Sequence, residues 1–300
     1  MQWNRTMNNN ISIVLPSKNE GASLQSLLPD LKNEFPNAEI ILVNDGSNDD
    51  TSSQCKKHGV IEIKHPYSKG NGAAIKSGTL AAKNDIIVFM DADGQHKPKE
   101  IHQLLEKMDE GYDLVVGARD NVSQASMGRL AANKAYNKLA SFMVGHKVMD
   151  LTSGFRAVKK NKFKEFLHLL PNGFSYPTTS TMAFFRAGYS VAYSPITTDK
   201  RIGNSHLQLG KDGVRFLIII FKVGILYSPL KIFAPISAGL FALGIARYTY
   251  TFLNYQTFTN MTALLFSTSL LVFLMGLVSE QITILIYQLK HDDKHDRDTP

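Results

Sequence analysis

Two aspartates, Asp91 and Asp93, stand one residue apart directly after the apolar segment 86–90. If the extended conformation of that segment continues, alternate side chains face one side of the strand and both carboxylates surround one point. Two such charges repel each other unless a cation neutralises them, and oxygen ligands suit a hard divalent ion such as Mg²⁺ or Mn²⁺. The pattern therefore predicts a divalent metal with coordination positions left open for a diphosphate. A surface loop is the alternative for an isolated Asp-x-Asp.

Three further segments combine turn residues with polar side chains: 15–20 (LPSKNE), 43–51 (VNDGSNDDT) and 69–74 (KGNGAA). In the second, Asp45 would point from a strand end, where a carboxylate can accept hydrogen bonds from a base or a ribose. Turn and helix-capping chemistry explains the same residues without a ligand. In the third, glycines open a helix, and helix N-terminal N–H groups favour phosphate. Glycine-rich helix starts are common, so this pattern alone is not specific.

Between the aspartates and the apolar C-terminal third of the chain, four of the arginines stand in or beside polar motifs: Arg119, Arg129, Arg156 and Arg201. A guanidinium group binds phosphate through two parallel hydrogen bonds. A surface ion pair explains each of them equally well when it is taken alone. Their shared placement favours phosphate binding by the set.

The elements that must position these residues alternate between β-rich and helical segments from residue 11 to about residue 198. Short apolar runs predict strands at 11–15, 40–43, 61–64, 86–90, 114–117 and 191–194, and amphipathic stretches predict helices at 23–35, 72–83 and 98–109. This alternation is typical of an α/β domain with a mostly parallel sheet. In such a sheet ligands bind outside the carboxyl ends of the strands, where the polar segments lie.

The C-terminal third is different, because residues 232–253 and 262–289 are apolar over more than the roughly 20 residues that cross a bilayer. The loop 254–261 between them has no Lys or Arg, whereas basic residues flank the pair on its inner side. The positive-inside rule then places both ends of a transmembrane hairpin in the cytoplasm. The segment 214–227 reads as an interfacial helix, with a core helix of the soluble domain as the alternative. We expect a catalytic domain over 1–210, an interfacial segment over 211–230, a hairpin over 231–290 and a disordered cytoplasmic tail over 291–300.

Composition limits the function classes. The net charge is +7 and the pI about 9.3, which suits anionic partners. The basic residues flank apolar spans rather than an aromatic-rich groove, which argues against nucleic-acid binding. A single cysteine, Cys55, excludes an internal disulfide and a cysteine-based metal site. The polar N-terminus lacks the apolar core of a signal peptide, so the first domain is expected in the cytoplasm.

Taken in order, these motifs resemble the family 2 inverting glycosyltransferases of GT-A type, and within them the polyprenyl-phosphate (dolichyl-phosphate) mannose and glucose synthases. The resemblance rests on DGSxDxT at 45–51, DAD at 91–93, SGFR at 153–156 and RIGNS at 201–205, and it covers nearly the whole chain. It implies a GT-A (Rossmann-like) domain followed by an interfacial helix and a transmembrane hairpin. The implied reaction moves a hexose from a UDP- or GDP-sugar to a polyprenyl phosphate.

The resemblance also implies roles for individual residues. Nucleotide and donor contacts would come from Pro16, Glu20, Asp45, Lys69, Gly70, Asp91, Ala92 and Asp93, with Asp45 holding the base. The metal and the donor diphosphate would be arranged by Asp91, Asp93 and Gln95. The acceptor phosphate would be received by Arg119, Arg129, Arg201 and Ser205. The residues assigned to catalysis are Asp91, Asp93, Arg119 and Arg129.

The chain departs from the family pattern at two places. Asn44 stands where relatives often have Asp, which affects the expected base contact, and residues 174–179 carry hydroxyls where many relatives have an acidic residue. The QxxRW motif of processive polysaccharide synthases is absent. Two alternatives stay open: a membrane glycosyltransferase with a glycolipid or glycan acceptor, and a non-catalytic adaptor that binds nucleotide sugars. Such hairpins often pack with one another, which would give a homo-oligomer.

Overall fold

The chain divides into two compact units, Met1–Leu217 and Ile218–Pro300. The computed structural model describes residues 10–119, 127–173, 175–197, 221, 224, 225 and 228–298, with backbone alone for 127–132 and 286–298. The first unit is built on a seven-stranded sheet. Its strands are β1 (Ile11–Ser17), β2 (Glu39–Asn44), β3 (Ile61–Lys64), β4 (Ile86–Phe89), β5 (Leu114–Arg119), β6 (Arg156–Lys159) and β7 (Val191–Ile196). Their spatial order is β3-β2-β1-β4-β6-β5-β7.

All strand pairs except the two that involve β6 are parallel, so the prediction of a mostly parallel α/β sheet is confirmed, as are the six predicted strands. The strand that the sequence analysis missed is β6, which lies antiparallel between β4 and β5. It begins with Arg156, which pairs with Phe89 on one side and Val116 on the other. A charged residue at the start of a four-residue segment breaks the apolar pattern by which buried strands are recognised.

Seven helices accompany the sheet in the described part of the first unit. They are α1 (Gly21–Glu34), α2 (Thr51–His58), α3 (Asn71–Ala81), α4 (Ile101–Asp109), α5 (Met127–Val144), α6 (Lys160–Lys164) and α7 (Tyr176–Arg186). In α4 the buried residues Ile101, Leu104, Leu105 and Met108 recur at helical spacing and join the core. A 3₁₀ turn, Pro98–Glu100, precedes this helix, so the predicted helix 98–109 is confirmed with a tighter first turn.

The second unit contains two long helices, α8 (Leu230–Tyr255) and α9 (Asn260–Asp298). Both are long and apolar enough to cross a membrane, and only 11% and 17% of their apolar windows are buried, unlike the core helices of a soluble protein. Glu280 of α9 accepts a hydrogen bond from the backbone N–H of Leu230 at 3.3 Å. The acidic side chain therefore lies at the N-terminus of α8, where the helix dipole favours negative charge.

Two expectations for the C-terminal region have different outcomes. The disorder expected for 291–300 is wrong for most of that segment, since α9 continues to Asp298. No glycine or proline occurs between Gly276 and Pro300, so nothing in the sequence ends the helix earlier. The interfacial helix expected at 214–227 falls largely outside the described residues.

Candidate active site

The loops after β1 and β2 are joined to each other at the carboxyl edge of the sheet. The backbone N–H of Asn19 donates to Ser47 Oγ at 3.0 Å, and the N–H of Asn48 donates to Asn19 Oδ1 at 2.9 Å. Asn19 adopts a left-handed conformation (φ 56°), which asparagine tolerates better than most residues. These two hydrogen bonds hold the loops after β1 and β2 together at this edge of the sheet.

Asp49 caps α1. Its Oδ2 accepts from the backbone N–H of Gly21 at 2.7 Å, and its Oδ1 accepts from the N–H and the hydroxyl of Thr51 at 3.1 and 2.5 Å. Burial would raise the pKa of Asp49, but the hydrogen bonds from Thr51 and Gly21 outweigh it and hold that pKa below its ordinary value. The second Asp of the DGSxDxT pattern is therefore a structural carboxylate.

Asp45, the first carboxylate of that pattern, is almost fully buried and organises the loop after β3. It accepts hydrogen bonds from His65 Nδ1 (2.7 Å), the Ser68 hydroxyl (2.8 Å) and the backbone N–H groups of Lys69 (2.8 Å) and Gly70 (2.9 Å). Burial opposes ionisation, yet these donors lower the pKa of Asp45. Both oxygens are thus used inside the protein, a role that the sequence analysis did not foresee. The contact with a base stays a prediction.

The start of α3 does not offer a phosphate site. The backbone N–H of Gly72 donates to the carbonyl of Gly173 at 3.1 Å, and that of Ala73 donates to the carbonyl of Asn172 at 2.9 Å. The close approach that the glycines permit is made by the protein's own segment 171–173. The prediction of phosphate binding by this helix start is therefore wrong.

Asp91 and Asp93 follow β4, as predicted, but not in extended conformation. Ala92 and Asp93 form a turn, Gly94 has φ 74°, and the N–H of Gln95 donates to Asp93 Oδ1 at 3.1 Å. The expectation that simple strand alternation aligns the two carboxylates is wrong, because the turn sets their directions instead. Asp91 stays partly exposed, whereas Asp93 is 8% exposed.

Two contacts hold this turn against the rest of the domain. The hydroxyl of Ser23, in the first turn of α1, donates to the carbonyl of Ala92 at 2.6 Å. On the other side, a Cβ built on Gly154 would lie 3.0 Å from Asp91 Oδ2. Tyr176 donates its hydroxyl to the carbonyl of Gly154 at 2.8 Å. The Asp91 carboxylate therefore rests against a bare backbone that any larger residue would push.

The donor set at this turn fits a divalent cation that is shared with a ligand. Asp91, Asp93 and Gln95 supply oxygen atoms, the type that Mg²⁺ and Mn²⁺ prefer. Among the described residues no three His, Cys, Asp or Glu side chains are grouped as a complete metal cage. The protein thus offers part of a coordination sphere, in which Asp91 is partly exposed.

Arg119, at the end of β5, is held by Asp150. Its Nε and Nη2 donate to the two carboxylate oxygens at 2.8 and 3.0 Å, and Nη2 also donates to Thr152 Oγ1 at 2.7 Å. Burial would lower the pKa of Arg119, but Asp150 and, more weakly, the charge of Asp91 raise it. The same arginine keeps the pKa of the buried Asp150 carboxyl below its ordinary value. Arg119 is thus an oriented cation near Asp91.

His96 lies near Arg119 and Asp150 and is uncharged. Its ring stacks on Phe155 with centroids 4.8 Å apart, and its buried Nδ1 has no hydrogen-bond partner among the residues that the structure describes. Burial, followed by the charge of Arg119, lowers the pKa of His96 to about 4. The imidazole is therefore uncharged at neutral pH.

Arg156, which the sequence analysis counted among the phosphate-binding arginines, is fully buried and cannot reach a ligand. Its Nη1 donates to Ser180 Oγ at 2.7 Å, Thr181 Oγ1 at 3.2 Å and the carbonyl of Pro177 at 3.1 Å, and its Nη2 donates to the carbonyl of Ser153. Burial lowers its pKa. The prediction is wrong for this residue, which ties β6 to α7.

The remaining predicted residues are distributed as follows. Pro16 pairs with Val43 between β1 and β2, Glu20 directly precedes α1, and the Lys69 side chain is exposed. Arg201 and Ser205 lie outside the described residues, and Arg129 is described only as part of the backbone of α5. The functional candidates missed from the sequence are Asp150 and Tyr176. An acidic residue before Thr-Ser-Gly was a usable signal for the first, because such a segment is typical of a turn that holds a side chain in place.

Comparison with known proteins gives the chain a family. The sequence profile of glycosyl transferase family 2 matches residues 12–167, and that of the GtrB C-terminal hairpin matches residues 228–285. Polyprenol monophosphomannose synthase from Mycolicibacterium smegmatis is 29% identical over 212 residues, which cover 65% of this chain and 80% of that protein. Dolichyl-phosphate hexose transferase from Haloferax volcanii is 28% identical over 215 residues, covering 71% and 93%.

A solved structure of another protein shares the fold. Glucosyl-3-phosphoglycerate synthase from Mycobacterium tuberculosis, solved with Mn²⁺, UDP-glucose and phosphoglyceric acid, superposes with a TM-score of 0.61 over 75% of this chain and 85% of its own, at 21% identity. This likeness confirms the GT-A architecture. The two apolar helices and the hairpin profile indicate membrane association. Since the family 2 profile spans more than half of its length, the chain belongs to glycosyl transferase family 2 and is a glycosyltransferase.

Proposed function

We propose that this glycosyltransferase moves a hexose from a nucleoside diphosphate sugar to a polyprenyl phosphate, with inversion at the anomeric carbon. The observation that carries the proposal is that one segment, residues 150–154, contacts both a donor-side carboxylate and an acceptor-side cation: Asp150 bonds to Arg119 at 2.8 Å, and Gly154 lies against the Asp91 carboxylate. A diphosphate held at the carboxylates and a phosphate held at the arginine would meet at one edge of the sheet.

On the donor side, Asp91, Asp93 and Gln95 would hold a divalent cation, Mg²⁺ or Mn²⁺. The solved relative named above contains Mn²⁺ together with a UDP-sugar. When bound, such an ion neutralises the departing diphosphate. The chain itself contributes the support: Ser23 fixes the turn through Ala92, and the Asp91 carboxylate lies against the backbone of Gly154.

The nucleotide would lie over the loops after β1 and β2, in contact with Pro16, Glu20, Asp45 and the exposed side chain of Lys69. Asn44 bears on the choice between UDP and GDP. Asn44 is buried, its side-chain amide donates to Glu62 at 2.8 Å and to Ser52 at 3.0 Å, and its Oδ1 accepts from the N–H of Ser47. The side chain of Asn44, which replaces the family's usual Asp, therefore bonds to other protein residues. The choice between uracil and guanine would then depend on residues near Asn44.

On the acceptor side, Arg119 would bind the phosphate, assisted by Arg129, Arg201 and Ser205. The two relatives named above carry polyprenol and dolichyl phosphate in their names. A phosphomonoester has a second pKa of about 6, so the attacking oxygen is largely anionic at neutral pH and needs no general base. That oxygen attacks the anomeric carbon as the bond to the nucleoside diphosphate breaks in line, which inverts the configuration. The role of Arg119 is to align the anion and reduce its repulsion from the donor.

The membrane arrangement follows from charge. Basic residues flank the hairpin on the side of the catalytic domain, and the loop 256–259 between α8 and α9 has none, so that the domain and both ends of the hairpin would face the cytoplasm. Cys55 is buried, which allows a clean labelling test. A Gln256→Cys variant should react with an impermeant maleimide added outside intact cells; labelling from the cytoplasmic side alone would reverse the orientation.

The reaction is tested with the full chain in detergent, incubated with UDP- and GDP-hexoses and a polyprenyl phosphate. Mass spectrometry of the lipid should find one hexose added, and EDTA should abolish the product. Asp91→Asn should remove activity, whereas Asp85→Asn, at the exposed amino end of the same strand, should retain it. Product on a glycolipid instead of the lipid phosphate would favour the other acceptor class, and nucleotide binding without turnover on any acceptor would favour an adaptor.

A further inference from the structure

The guanidinium group of Arg119 is held along one edge. Nε and Nη2 bond to Asp150 and Thr152, and within the described part of the chain no hydrogen bond reaches Nη1. The backbone N–H of Arg119 adds a bond to Asp150 Oδ2 at 3.3 Å. Main chain and side chain of the arginine are therefore fixed by the same carboxylate, and one N–H edge is left for a ligand.

The Asp150 side chain is itself held by backbone N–H groups. It is 5% exposed, and its Oδ1 accepts from the backbone N–H groups of Thr152 and Ser153, both at 3.1 Å. These bonds and those from Arg119 surround both carboxylate oxygens with donors. An asparagine would present an NH₂ group to one arm of the arginine, and the two-pronged contact would be lost.

The segment from Asp150 to Gly154 connects the two halves of the site. Asp150 at one end fixes Arg119, and Gly154 at the other end lies against the Asp91 carboxylate, with the Tyr176 hydroxyl bonded to its carbonyl. Five consecutive residues thus set the spacing between the donor-side carboxylate and the acceptor-side cation. A shift of this segment would move both.

We infer that Asp150 is a positioning residue for the transfer: it turns Arg119 so that the Nη1 edge receives the acceptor phosphate. The inference rests on the proposed function, since it requires a phosphate acceptor at Arg119. If Asp150 positions Arg119, removing its carboxylate should weaken binding of the acceptor phosphate, although a negative charge beside a phosphate site is electrostatically unfavourable. If Asp150 only reduced the positive charge of Arg119, removing its carboxylate should strengthen that binding.

The test compares Asp150→Asn with the wild type in full-length protein. We expect the KM for polyprenyl phosphate to rise about 10-fold, corresponding to the loss of one oriented charged hydrogen bond, while the KM for the nucleotide sugar changes less than about two-fold. Thr152→Val keeps the carboxylate and removes one of the bonds to Nη2, so it should have a smaller effect of the same kind. A lower KM for the acceptor in Asp150→Asn, or an equal rise in both KM values, would overturn the inference.

A double-mutant cycle with Arg119→Ala separates positioning from general damage to the fold. If Asp150 acts through Arg119, adding Asp150→Asn to Arg119→Ala should change acceptor kinetics less than about two-fold. Additive losses would contradict the inference. Calorimetric binding of a short-chain polyprenyl phosphate tests the proposed acceptor separately from the positioning role of Asp150. A wild type that does not bind it refutes the proposed acceptor, and a wild type that binds it no better than Asp150→Asn refutes the positioning role alone.

Discussion

Ser237 and Ser269 exchange hydrogen bonds across the hairpin, each hydroxyl donating to the backbone carbonyl of the other at 2.9 Å. They belong to a seam of small residues that repeats every seven positions in both helices: Ser237, Gly244 and Thr251 in α8, and Thr262, Ser269, Gly276 and Thr283 in α9. A seven-residue repeat keeps one stripe of each helix facing the other, and small side chains let the backbones approach closely. Large apolar side chains dominate the exposed remaining faces, which suits a lipid environment.

The seam gives the first prediction. A Cβ on Gly276 would lie 2.7 Å from the Cβ of Phe233, whereas one on Gly239 would meet nothing within 4 Å. Gly276→Leu should lower the thermal unfolding midpoint in detergent, because overpacking costs about 1–3 kcal/mol. Gly239→Leu gains the same helix propensity without the clash and serves as the matched control. Equal midpoints for the two variants would mean that the helices do not pack along this stripe.

A second prediction concerns the support of the Asp91 carboxylate. Gly154→Ala places a methyl group 3.0 Å from Asp91 Oδ2, so the carboxylate must move by a few tenths of an ångström. We expect kcat to fall about 10-fold, because small misplacements at a reacting centre are costly, with little change in the unfolding midpoint. Gly173→Ala, where an added Cβ meets nothing within 4 Å, should leave kcat unchanged. Unaltered kcat in Gly154→Ala would show that this contact does not set the carboxylate position.

Most of the fold could be predicted because its signals are local. Each of the six predicted strands is a short run of apolar residues, and the two spans of the hairpin are long apolar segments. The missed strand β6 illustrates the limit. Its first residue, Arg156, is charged, and only the tertiary partners Ser180 and Thr181 make its burial tolerable. Such compensation comes from residues 24 and 25 positions away and leaves no periodic pattern near the strand.

The site was predictable in its residue types but not in its bonding. The motif residues Asp45, Asp49 and Asp91 do lie at the carboxyl edge, and Asp45 and Asp49 accept hydrogen bonds there from backbone N–H groups. The positions of those N–H groups depend on how the loops fold. Sequence spacing identifies which carboxylates meet at an edge, and the loop geometry decides which of them are structural.

A third prediction separates the structural role of Asp45 from nucleotide contact. His65 joins Asp45 at 2.7 Å through Nδ1 and Ser77 at 2.9 Å through Nε2, so it connects the loop to α3. His65→Ala leaves a buried carboxylate without one donor, which costs about 1–3 kcal/mol, and should raise the KM for the nucleotide sugar while that for the lipid phosphate stays constant.

The matched control for that variant is Ser77→Ala, which removes only the outer bond of the pair. It should lower the unfolding midpoint less than His65→Ala and leave both KM values near those of the wild type. An effect of His65→Ala on the lipid phosphate that equals its effect on the nucleotide sugar would argue against a local role for this loop.

The last prediction is a pH dependence of stability at the opposite edge of the sheet. Asp113 accepts hydrogen bonds from Lys159 and Lys162, both at 2.9 Å, and from the backbone N–H and the hydroxyl of Ser190 at 3.0 and 2.9 Å. Burial would raise the pKa of Asp113, but these partners hold it far below the ordinary value of 3.8. A carboxylate whose pKa is lower in the folded than in the unfolded state stabilises the fold at pH values above its unfolded pKa. That stability is lost as the pH falls through the folded pKa.

Asp113→Asn should therefore lower the thermal midpoint at pH 7 by a few degrees, for a loss of about 1–3 kcal/mol. The gap to the wild type should narrow once the pH drops below about 4. Asp109→Asn, on the exposed end of α4, should track the wild type at every pH. A gap that stays constant down to pH 2 would mean that the carboxylate charge does not contribute.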